Sequence, residues 1–100
     1  MPRPRKRRQV RGIPNVNYFK PAGVPLNSLN EVILTVEEYE VLRLCDVLDN
    51  SQEEAAKKMQ ISQPTLFRLL KSARTKISSA IVKGEAIKIE GGVFEVKKND

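Results

Sequence analysis

The sequence predicts a mainly α fold: three helices, the last two joined by a tight connection, set between a basic N-terminal arm and a C-terminal β-hairpin. Three observations carry this. Two Ser/Thr-x-x-Glu capping boxes, Thr35 to Glu38 and Ser51 to Glu54, each open a run with helical apolar spacing. Ser62 stands as a third N-cap before a long apolar-periodic stretch that stops at Gly84, a natural residue just past a helix end. Around Gly91-Gly92 the pattern switches to alternation, the period of strands.

Taken in order, residues 1–11, MPRPRKRRQVR, have almost nothing to bury and repel themselves, so they read as a flexible basic arm. Pro2 and Pro4 bias it toward an extended path. Residues 12–34 carry Gly12, Pro14, Pro21, Gly23 and Pro25, which interrupt regular structure. Tyr18 and Phe19 are large enough to anchor this irregular segment on the core, and Glu31 to Leu34 form a short extended lead-in.

The helical unit spans 35–84. Its first helix, about 36–48, places Val41, Leu44, Cys45 and Leu48 on one face, with Leu34 and Tyr39 as a hydrophobic staple. The second, about 52–59, turns Ala55, Ala56 and Met59 inward. The third, about 63–83, has the stripe Leu66, Leu69, Leu70, Ala73, Ile77, Ala80 and Ile81. In the tail, 85–100, a Gly-Gly turn would set Ile89 opposite Phe94 and Ile87 opposite Val96.

The composition narrows the chemistry. The 100 residues support one small core and contain no His and a single Cys. Imidazole acid/base chemistry, a Ser-His or Cys-His pair and an internal disulfide are therefore excluded. The acids show no converging pocket motif, so no enzyme activity, metal or other cofactor is expected. No apolar run approaches the roughly 20 residues of a membrane span. The chain reads as a soluble, cytoplasmic binding module.

The net charge of +6 is distributed in blocks. Residues 1–20 have seven bases and no acid, 31–54 have one base and eight acids, and 55–84 have seven bases and no acid. Residues 21–100 sum to −1, so the whole excess lies in the first twenty. Glu37, Glu38, Glu53 and Glu54 fall in first turns of helices, where the macrodipole favours negative charge.

A short helix, a three-residue connection and a longer basic helix make the supersecondary unit that lays its second helix in the DNA major groove. Small Ala56 suits the helix crossing and Ile61 plugs the turn. Gln60 stands where a glycine is often found, and must adopt positive φ or use a different turn. Residues 36–77 resemble the region-four DNA-binding unit of sigma factors. The stretches MPRPRK, YFKPAGVPL, LTVEEYEVLRL, QEEAAKKM, ISQPTLFRLLKSARTKI and KGEAIKIEGG together resemble uncharacterised protein family 0251, also called domain-of-unknown-function family 134. That resemblance covers about residues 1–92 and implies a DNA-binding fold.

The expected function is sequence-specific binding of double-stranded DNA by a transcriptional regulator. Gln63, Pro64, Thr65, Phe67 and Arg68 occupy the start and outer side of the recognition helix. Gln63 suits adenine and Arg68 guanine. Phe67 either meets a thymine methyl or packs against the arm. Ser62 and Thr65 either bond phosphate or cap the helix. Lys71, Arg74 and Lys76 either contact phosphate or form a solvated face. Arg3, Arg5, Lys6, Arg7, Arg8 and Arg11 form an arm suited to the backbone or a narrow minor groove. A homodimer would go with a palindromic target. Two alternatives stand beside this reading: RNA binding, and a protein-interaction module that docks RNA polymerase through the acidic first helix.

Overall fold

In a computed structural model, residues 8–96 are described. Along the chain come β1 (Arg8–Val10), β2 (Tyr18–Phe19), a 3-10 turn (Leu26–Ser28), β3 (Glu31–Leu34), α1 (Val36–Leu42) running into a π-helical turn (Arg43–Val47), α2 (Gln52–Met59), α3 (Gln63–Lys83), β4 (Ala86–Ile89) and β5 (Phe94–Val96).

The capping signals lie where the sequence places them. The Thr35 hydroxyl accepts from the Glu38 amide while the Glu38 carboxylate accepts from the Thr35 amide, and Ser51 and Glu54 repeat the exchange. Two orphan donors are satisfied at each helix start. Gln60 ends α2 in the left-handed region at φ 56°, ψ 47°, and Gly84 ends α3 at φ 70°. One core joins all the layers: Val41 and Leu44 from the first helical segment, Ala55, Ala56 and Met59 from α2, Leu66, Leu70 and Ala73 from α3, Leu34 and Ile89 from the strands.

Four expectations require correction. The first concerns the C-terminal hairpin, which does not form. β4 lies between β2, antiparallel to it, and β3, parallel to it, while β5 pairs in parallel with β1 in a separate sheet. The two halves of the alternating tail thus find partners far away in sequence, and Gly91-Gly92 carries the chain across the N-terminus of α1. The Gly91 carbonyl accepts from the Val36 amide, and the Val93 amide donates to the Glu37 carboxylate. Gly92 has φ 102°, and a Cβ there would sit 3.0 Å from the Thr35 Cβ, so this passage needs a glycine.

The second concerns the arm. Arg8–Val10 is a strand, and Val10 is 1% exposed in the core, so at most residues 1–7 remain as an arm; those lie outside the described residues. Third, the first helix changes winding at Arg43, with the Leu48 amide bonding back five residues to the Arg43 carbonyl. The wider turn shifts the phase of the apolar face, and Leu48 is exposed rather than inward. Fourth, Ile81 is exposed at the last turn of α3, as is Val82, because the buried side of that turn is the one carrying Ala80. α3 packs on β3 and β4 as well as on α1 and α2.

Candidate nucleic-acid interface

α2 and α3 are joined by Gln60, Ile61 and Ser62. Ile61 is half-buried against the core, and its amide donates to the Ala56 carbonyl, which locks the connection. The left-handed Gln60 supplies the reversal that a glycine would supply more cheaply. At the start of α3 the Ser62 hydroxyl accepts from the Thr65 amide and donates to the Thr65 hydroxyl at 2.9 Å. The single Ser62 proton is therefore committed to the cap, whereas the Thr65 proton is free to donate outward.

Beyond this cap, Leu66 and Leu70 face inward and are buried, while Gln63, Pro64, Phe67, Arg68 and Lys71 face solvent. The Arg68 guanidinium hydrogen-bonds, among the described residues, only to the Thr65 hydroxyl, at 3.4 Å. Among the described residues, neither Arg68 nor Lys71 makes an ion pair.

The remaining expected phosphate contacts are placed differently. Arg74 holds Asp46 with two hydrogen bonds, at 2.6 and 3.1 Å, and the Asp46 carboxyl is held below its usual range by that contact. Lys76 reaches back to Glu38, with Nζ 2.7 Å from Oε1. Glu38 is 3% exposed; burial alone would raise its carboxyl, but hydrogen bonds from Lys76, Ser72 and the Thr35 amide outweigh burial and leave it below the ordinary value. From the expected arm, Arg8 faces Glu37 at 3.0 Å in the interior, and the Arg11 backbone amide donates to Glu40. Arg3, Arg5, Lys6 and Arg7 lie outside the described residues.

Two features escaped sequence reasoning. Glu37, Glu38 and Glu40 are buried counter-charges that tie α1 to β1, α3 and the β4–β5 connection, with Glu40 also gripping Arg43 through two hydrogen bonds. For Glu37 and Glu38, a position in the first turn of a helix explained them too cheaply as macrodipole partners. Lys57 and Lys58, in the last turn of α2, are exposed near the connection to α3; Lys57 stands 3.5 Å from Glu53, whereas Lys58 donates to the neutral Asn50 side chain and adds cationic surface there. Their position after the small Ala55-Ala56 pair was the available signal.

A cleft of about 410 Å³ lies elsewhere, between the three-stranded sheet and the helices, lined by apolar residues such as Phe19, Tyr39, Leu42, Ile77 and Ile87. Arg43 is its one charged lining group, and Glu40 already occupies that guanidinium. The Cys45 thiol is pushed up by burial and by nearby Asp46, which disfavours a reactive thiolate. Among the described residues no group of three or more acidic, Cys or His side chains could hold a metal, and no helix is long and apolar enough to cross a membrane.

The family model described as "Protein of unknown function DUF134" matches residues 1–97. A UPF0251 protein of Caldanaerobacter subterraneus subsp. tengcongensis is 56% identical over all of this chain and 85% of its own length. One from Thermoanaerobacter pseudethanolicus is 54% identical with the same coverage, and one from Dehalococcoides mccartyi is 55% identical over 96% of this chain and 82% of its own. No solved structure matches. Matched along nearly its whole length by that model and by these relatives, the chain belongs to the DUF134 family, whose curated members bear the name UPF0251 protein.

Proposed function

We propose that this protein is a sequence-specific double-stranded DNA-binding protein that acts as a transcriptional regulator. In this reading α2 and α3 form a helix-turn-helix of the sigma region-four type, and the first turns of α3 enter the major groove. The observation that carries it is the contrast on α3: among the described residues Gln63, Thr65, Phe67, Arg68 and Lys71 are presented without acidic partners, as is Lys58 at the end of α2. Such a surface offers hydrogen-bond donors for base edges next to cations for phosphates.

Lys76 and Arg8 are set aside as phosphate contacts in this reading, since buried carboxylates neutralise them, and Arg74 is set aside because Asp46 holds it through two hydrogen bonds at the surface. The Ser62 hydroxyl acts as a cap. Arg3, Arg5, Lys6 and Arg7 continue from β1, a strand that packs on α1 and α2, and supply further backbone or minor-groove charge. The interaction-module alternative loses its natural surface, because the Glu37, Glu38 and Glu40 carboxylates are engaged internally. RNA binding is separated by competition.

Selection of bound duplexes from a random pool, followed by titration at fixed salt against random duplex and structured RNA, tests the proposal. A recovered consensus bound at least about a thousandfold more tightly than random duplex supports it. Equal affinity for consensus, random DNA and RNA would refute it.

A further inference from the structure

Phe67 is 51% exposed, although both its neighbours on the apolar side, Leu66 and Leu70, are buried at 0% and 2%. It belongs neither to the buried core nor to the partly buried hydrophobics packed against that core. It stands instead among Gln63, Pro64, Arg68 and Lys71 on the outward side of α3. A large apolar ring on a polar, cationic helix face gains by covering an apolar group on whatever that face binds. The major groove offers one apolar group, the 5-methyl of thymine.

Arg68 is the next residue. Of its five N–H donors, one is engaged, by a neutral hydroxyl at 3.4 Å, so a guanine O6/N7 pair can still be met by two parallel hydrogen bonds. Thr65 both receives that guanidinium and is itself held by the Ser62 cap, which positions Arg68 from behind. Residues 67 and 68 differ by about 1.5 Å along the helix axis. Base pairs stack about 3.4 Å apart. Although consecutive residues are turned about 100° around the helix, their Cα atoms are about 3.8 Å apart, close to one base-pair step, so neighbouring base pairs lie within reach of both side chains.

Resting on the DNA-binding reading above, we propose that Phe67 and Arg68 together recognise a thymine beside a guanine, Phe67 covering the thymine 5-methyl and Arg68 pairing with guanine. Phe67 thus determines specificity through a methyl group, and Arg68 through hydrogen bonds.

Replacing thymine by uracil in the selected duplex removes only the methyl and leaves the protein untouched. Burial of one methyl is worth about fourfold in affinity. Uracil at a thymine within one base pair of the guanine preferred by Arg68 should weaken wild type about fourfold. Phe67→Ala should bind thymine and uracil duplexes equally while keeping its guanine preference, and Arg68→Ala should lose the guanine preference while keeping the methyl effect. If uracil is tolerated at every thymine of a duplex that is still bound selectively, the methyl contact is wrong and DNA binding stands. If Phe67→Ala weakens both duplexes yet retains the methyl effect, the ring packs on the protein's own arm, and the assignment fails. Absence of any selective duplex would overturn the DNA reading and this inference together.

Discussion

The bases in the first turns of α3 and those in its middle turns carry the same kind of charge, and the fold places them differently. In the first turns, Arg68 and Lys71 face solvent without an acidic partner. In the next turns Arg74 and Lys76 fold back onto Asp46 and Glu38 of the first helical segment. A count of bases along the sequence treats the four alike. What separates them is the register of α3 against α1, which brings carboxylates 28 and 38 residues away into hydrogen-bond range. Charge available to a ligand is what remains after the fold has neutralised its own.

The largest way to break this contrast is through its buried member. Glu38→Ala leaves Lys76, Ser72 and the Thr35 amide without their shared acceptor, so unfolding by urea should show a loss of about 3 kcal/mol. A loss below about 1 kcal/mol would make the pair a surface contact in energetic terms. Acid acts on the same group. Because the Glu38 carboxyl is depressed in the folded state, its contribution is fully present above its unfolded value of about 4.3 and is lost as pH falls through the lower folded value. The midpoint of urea unfolding should fall below about pH 4 in wild type, and this part of the fall should vanish in Glu38→Ala.

In the first turns of α3, Arg68→Ala should cost about tenfold in discrimination at one guanine position, and Gln63→Ala a comparable amount at an adenine position. Binding competition against single-base variants of the selected duplex reads both effects. Identical losses on specific and random DNA would remove these residues from base readout. The smallest effect is expected at the connection. Gln60 holds a left-handed conformation that glycine adopts freely, so Gln60→Gly should stabilise the protein by about 0.5–1 kcal/mol. Destabilisation by the same amount would mean that the Gln60 side chain supplies a contact worth more than the backbone strain.

The helices were legible because their signals are local. A capping box is complete within four residues, and the starts at Thr35, Ser51 and Ser62 are where the sequence puts them. The strands were not, because their partners are distant. Ile87 and Val96 look like hairpin neighbours across Gly91-Gly92, yet Ile87 pairs with Phe19 and Val32, and Val96 with Val10. The nearest turn is the natural local guess; a sheet edge supplied by residues 17–34 outcompetes it by burying Leu34 and Ile89 together. The same distance hid the partners of Arg8 and Lys76. The exposed readout candidates Gln63, Phe67 and Arg68 were legible because one helical period determines which side of α3 is outward.

The measurement that bears most directly on the divided use of charge along α3 is the salt dependence of duplex binding for Lys71→Ala and Arg74→Ala against wild type. The slope of log affinity against log salt should become shallower by about 0.9 for Lys71→Ala, the loss of one phosphate contact. It should be unchanged for Arg74→Ala. An equal change in both variants, or a change confined to Arg74→Ala, would contradict the division between free bases in the first turns of α3 and paired ones in its middle turns.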